Sequence, residues 1–106
     1  MKADEFGVML TTVPDPETAR RLARQLVEER LAACVQMSAI ESFYRWEGRI
    51  ADETETLLLI KTRAALFDAL LRRIKELHPY TVPEIVALPF AAGHPPYLEW
   101  MAASTR

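Results

Sequence analysis

Residues 33–62, ACVQMSAIESFYRWEGRIADETETLLLIKT, decide how this chain folds. Val35, Met37 and Ala39 alternate with Gln36 and Ser38, which is the two-residue period of a strand with one wet face, and Phe43, Tyr44 and Trp46 continue the β-forming composition. Glu47-Gly48-Arg49 reads as a turn, and Thr54 to Thr62 as a second strand around Leu57-Leu58-Leu59-Ile60. The stretch predicts a long β-hairpin, with strands of about ten residues or more where five or six is usual.

Outward from the hairpin the period changes on both sides. Ala19, Leu22, Ala23, Leu26, Val27 and Leu31 recur at helical spacing, so an amphipathic helix is expected over about 16–31. Asp15 is placed to cap it, with Pro16 at the first position, where a missing N–H costs nothing. Phe6 to Thr12 before it reads as a strand. Beyond the hairpin, Phe67, Leu70, Leu71, Ile74 and Leu77 predict a second helix over about 64–78, and Pro79 stops it. Val82 to Pro89 is a short strand that Pro83 and Pro89 confine to an edge or to strand ends. A loop over Ala91–Pro96 leads to a last short helix over Tyr97–Ala103. The order β-α-β-β-α-β, plus a terminal helix, is the α+β ferredoxin-like arrangement, with both helices on one face of an antiparallel sheet. It makes a single domain of residues 1–106.

Composition removes several function classes. The net charge of -2, from 13 basic and 15 acidic side chains, argues against sequence-independent nucleic-acid binding. Arg20, Arg21 and Arg24, and Arg72 and Arg73, cluster on what read as wet helix faces with acids interleaved. No apolar run is long enough to span a bilayer, and Met1–Glu5 carries acids where a leader peptide carries bases, so a cytoplasmic location is expected. Cys34 is the only cysteine, which excludes an intrachain disulfide. With Gly7, Gly48 and Gly93 alone there is no phosphate-cradling loop. No HExxH, CxxC or RNP1 pattern occurs either. The chain is therefore expected not to be an enzyme.

The hairpin also predicts assembly. Two helices of about four turns cannot cover it, and a long exposed apolar edge is an aggregation template unless something pairs with it. A second copy of the chain is the economical cover.

Three stretches carry a resemblance to a known family: Leu31-Ala32-Ala33-Cys34-Val35; Tyr44-Arg45-Trp46-Glu47-Gly48, with Glu55 and Lys61-Thr62 following; and His78-Pro79-Tyr80 with Pro83-Glu84. In this order and spacing they resemble the CutA family from about Val8 to Met101. The resemblance implies a tight homotrimer built through the hairpin, a likeness to PII signalling proteins, and a link to tolerance of copper and other divalent cations. Thr11 and Leu77 stand where some members carry a cysteine and a second histidine.

The candidate metal ligands are His78, Cys34 and Glu84, for Cu²⁺ or another divalent cation. Each has a plainer role. Cys34 sits in an apolar context that suits a small buried side chain, and His78 ends a helix whose free carbonyls it can bond. Tyr44, Trp46 and Tyr80 either line a pocket for a planar ligand or pack at a subunit interface. Lys61 and Glu84 are either interface ion-pair partners or the polar contacts of a cleft between subunits. His94 reads as a surface residue. Three functions remain: a trimer that binds divalent metal weakly, a PII-like trimer that binds a small metabolite and signals to a protein partner, and a trimer that is chiefly a structural scaffold.

Overall fold

A computed structural model describes residues 1–106. In chain order its elements are β1 (Phe6–Val13), α1 (Pro16–Glu28), β2 (Cys34–Trp46), β3 (Arg49–Arg63), α2 (Phe67–Leu77), β4 (Ile85–Pro89) and α3 (Pro95–Ser104). The strands form one antiparallel sheet in the order β2-β3-β1-β4. This is the expected ferredoxin-like topology, with the proline-bearing β4 on an edge.

α1 starts as its sequence dictates. The Asp15 side chain accepts hydrogen bonds from the Thr18 N–H at 2.8 Å and the Thr18 hydroxyl at 2.9 Å, and Pro16 follows. The helix ends at Glu28, three residues short of the apolar periodicity, because Arg30 takes a left-handed conformation with φ 60°. The Leu31 N–H then bonds the Leu26 carbonyl at 3.1 Å and the Arg30 N–H bonds that of Val27 at 3.0 Å. These two bonds make a Schellman cap, and Leu26 and Leu31 pack in the core beneath it. The Arg30 guanidinium donates to the Ala103 carbonyl at 2.7 Å, and Arg106 donates to the carbonyls of Arg30 and Glu29 at 3.0 and 2.9 Å. The C-terminal residues are thus tied to the corner between α1 and β2.

β3 begins at Arg49, not near Thr54. The turn is only Glu47-Gly48, with φ 48° and 78°, and Trp46 pairs directly with Arg49. Positive φ at both central residues is the tight hairpin turn whose twist matches the flanking strands. Ala51, Asp52 and Glu53 are poor strand formers, and their pairing with β2 overrides that preference. β4 starts at Ile85 rather than Val82, since Pro83 has no N–H for the ladder. The first turn expected of the second helix, Ala64–Leu66, is a 3₁₀ turn. Arg73 is not simply a wet-face residue: its guanidinium bonds Glu29 at 2.8 and 3.0 Å and clamps α2 to the end of α1.

The core lies between the helices and the sheet face bearing Met9, Val13, Leu58 and Ile60, where Leu22, Leu26, Leu70 and Ile74 meet them. On the opposite face, α3 covers only one end, through Phe6, Ala33, Leu98 and Met101. Val86 and Leu88 on that face stay 50% and 55% exposed. β1 covers β3 from Thr56 to Arg63 only, so Arg49–Glu55 pair with β2 alone. They form an arm about 23 Å long at ~3.3 Å per residue. Phe43, Trp46 and Ile50 on it are 65%, 57% and 64% exposed.

Candidate functional site

Where the arm parts from β1, the connection between α2 and β4 folds in beside it. The end of α2 is set by Pro79, and His78 already has extended backbone with φ -79° and ψ 136°. The chain therefore turns out of the helix and brings Tyr80, Val82 and Glu84 against the arm. Together with Thr12, Ser42, Phe43, Tyr44, Trp46 and Glu55 they bound a groove of about 380 Å³.

The floor of this groove is hydrogen-bonded from both sides. The Tyr80 hydroxyl donates to Glu55 Oε2 at 2.9 Å. Burial, and then the bond to that carboxylate, push the Tyr80 hydroxyl far above its ordinary value of 10.0, so it stays a donor at any ordinary pH. The Tyr80 N–H donates to His78 Nδ1 at 3.0 Å, so the ring proton sits on Nε2, which donates to the Thr12 carbonyl at 2.8 Å. Burial lowers the His78 pKa below its ordinary 6.5, so the ring is neutral at pH 7, as a buried imidazole accepting at Nδ1 requires. His78 is 8% exposed, with its ring tilted 48° to that of Tyr80 at 4.9 Å between centroids. It supports the groove and does not line it.

The structure thus gathers Tyr44, Trp46, Tyr80 and Glu84 of the predicted set and adds Glu55. Two predicted residues lie elsewhere. Cys34 and Lys61 are cross-strand partners, four residues along the hairpin from the Ser38–Leu57 pair that neighbours Thr12. That offset is about 13 Å. The Lys61 ammonium sits 5.7 Å above the Tyr97 ring of α3, so Lys61 and Glu84 do not share a cleft within one chain. Cys34 is half-buried on the sheet face opposite α1 and α2, not enclosed in the core. His78, Cys34 and Glu84 therefore do not make one metal site: the ring nitrogens of His78 are both engaged and Cys34 is remote. No three His, Cys, Asp or Glu side chains of the chain gather to hold a metal ion. His94 is on the surface, at the start of α3.

Glu55 is the residue that reasoning from side-chain types passed over. Its signal was positional: at period two it shares a face with Leu57 and Leu59, so it is an acid on an apolar stripe, and it is 7% exposed.

The comparisons with known proteins agree with the fold. The family described as CutA1 divalent ion tolerance protein matches residues 7–104. The chain belongs to that family. Across 99 residues it is 54% identical to the divalent-cation tolerance protein CutA of Thermus thermophilus, covering 92% of this chain and 96% of that one. It is 49% identical to the chloroplastic CutA 1 of rice, spanning 56% of that protein's length and 93% of its own. The CutA1 structure from Thermus thermophilus superposes with a TM-score of 0.91 at 52% identity, over 95% of this chain and 99% of that one. The CutA structure from Xylella fastidiosa does so at 0.93 and 40%, over 96% and 99%. No helix of the chain is long and apolar enough to cross a membrane.

Proposed function

We propose that the chain works as a homotrimer in divalent-cation tolerance, binding metal ions weakly and catalysing no reaction. The observation that carries the assembly is the uncovered apolar surface: Phe43, Trp46 and Ile50 on the arm, and Val86 and Leu88 on the open sheet face. Both sheet edges, β2 and β4, are also unpaired. They are different surfaces, so joining one copy's β2 to another's β4 is a head-to-tail contact, which is stable only when it closes into a ring. The number three rests on the family resemblance.

Weak metal binding follows from the donors. With His78 held on both sides and Cys34 remote, a metal ion meeting Glu84 leaves most coordination positions to water or to a neighbouring copy. Light scattering at micromolar concentration is expected to give about three times 12.1 kDa, and a stable monomer would sink the proposal. Calorimetry with Cu²⁺ should give a dissociation constant that is micromolar or weaker. Nanomolar binding would show a preformed site and overturn the metal part.

A further inference from the structure

The main core grips the two central strands of the sheet far more firmly than its edges. Its buried strand residues are Met9 and Val13 of β1 and Leu58 and Ile60 of β3, whereas β2 and β4 give it only the half-buried Val35 and Ile85. Neighbouring strands turn by about 20–25° on average, within a range of about 10° to 35°. Over the three steps from β2 to β4 that freedom adds up, so the pleat by itself leaves the angle between the two edges loose.

α3 is the element that reaches both edges. It crosses one end of the open face, and the groups it meets come from all four strands or from the residue next to them. Phe6 starts β1, Ala33 precedes β2, Lys61 and Arg63 lie at the end of β3, and Phe90 follows β4. Leu98 and Met101 are buried with Phe6 and Ala33, Phe90 packs beside them, and the Phe90 N–H donates to the Phe6 carbonyl at 2.9 Å. The far end of α3 is locked as well. Arg63 Nε donates to Thr105 Oγ1 at 2.8 Å, and the buried Thr105 hydroxyl donates to the Met101 carbonyl at 3.0 Å. On the β2 side the lock is the Arg30 guanidinium on the Ala103 carbonyl, with Arg106 Nε on the Glu29 carbonyl. At φ 60° a glycine would carry less backbone strain than Arg30, so what this residue offers over glycine is its guanidinium.

From this we propose that α3 is a strut that sets the angle between the β2 and β4 edges, and through it the number of copies that close into one assembly. The inference rests on the head-to-tail joining proposed above. In such an assembly the turn from one copy to the next follows from the angle between the two joining edges, and a ring closes only when whole copies fill the circle. A chain whose edges swing closes at more than one number or stays open. The contacts of α3 described here are all made within one chain, so the strut is complete before copies meet.

The test is native mass spectrometry across a dilution series. Wild type is expected to show a single assembled mass. Arg30→Gly with Arg106→Ala unfastens the lock and keeps the corner, because glycine takes φ 60° freely. This variant should show more than one assembled mass and dissociate at a concentration at least about tenfold higher, with unchanged far-UV circular dichroism. Met101→Ala loosens the cluster under α3 without touching the main core. It should act in the same way and serves where the double variant unfolds. Arg72→Ala with Lys75→Ala removes the same charge from exposed positions on α2 and should assemble as wild type does. If it spreads over several masses too, charge and not the strut is responsible, and the proposal falls. One mass with unchanged dissociation in both α3 variants would overturn it. So would one mass with only a lower melting temperature, which would make α3 a plain stabiliser. A wild-type monomer is a separate failure: it removes the assembly itself, and the strut with it.

Discussion

The two halves of the hairpin obey different rules. From Thr56 to Lys61, β3 is flanked by β2 and β1, and Leu58 and Ile60 are fully buried. From Arg49 to Glu55 the same strand has β2 alone, and the side chains about it are largely exposed. The first half is held by this chain's own core. The second keeps its shape through the turn and the ladder, while its aromatic surface has no use within a single copy. Burial explains one half, and what the arm meets explains the other.

The comparison breaks most sharply at the core. Leu58→Ala should cost about 2–5 kcal/mol of folding stability, because a fully enclosed leucine leaves a cavity. Denaturant unfolding reads it, and a loss below about 1 kcal/mol would mean that the sheet collapses around the gap. Trp46→Ala should cost about 2–4 kcal/mol, felt in assembly rather than in the fold of the chain. Dilution monitored by light scattering separates the two: a variant that stays fully assembled places Trp46 in solvent.

His78 joins the two halves, and its pH dependence sharpens the comparison. Its folded pKa lies below the ordinary 6.5, so the unfolded chain takes up the proton first. Its contribution is fully present above pH 6.5 and is lost as pH falls through the folded value. Protonation also removes the Nδ1 lone pair that accepts the Tyr80 N–H. The melting temperature should therefore fall below pH 6.5, and His78→Gln should flatten that part of the profile. An unchanged profile would show that the ring is solvated.

The smallest effect concerns Thr11, whose hydroxyl is buried in the core half without any hydrogen-bond partner. Thr11→Val removes the unsatisfied group at nearly constant shape and should be neutral or stabilising by about 1 kcal/mol. A loss of more than that would mean that the hydroxyl bonds an internal water.

Much of the core half was legible in advance, because Leu57–Ile60 is a continuous apolar run and the helix stripes are periodic, and both report burial. The arm was only half legible. Ala51-Asp52-Glu53 has no strand character of its own, and its partner on β2 decides its conformation. The early end of α1 was hidden by Arg30, which stands where a glycine would have announced the cap. At the site, the aromatic residues could be named from type alone. The separation of Lys61 and Cys34 from them could not, because it depends on cross-strand register, which the Glu47-Gly48 turn sets and which residue types do not reveal.

A hairpin closed by two residues is fast to make. Its pairing grows outward from Glu47-Gly48 through contacts close in sequence, on a timescale of about 1–10 μs. β1 must find β4 across most of the chain before Gly7 meets Pro89. The arm can therefore exist as a lone ribbon, with Phe43, Trp46 and Ile50 in water, before the rest of the sheet arrives. Glu41, Asp52 and Glu53 are spaced among those apolar side chains, and like-charged ribbons repel one another when they meet. Replacing these acids with neutral residues should raise the fraction lost to aggregates on refolding.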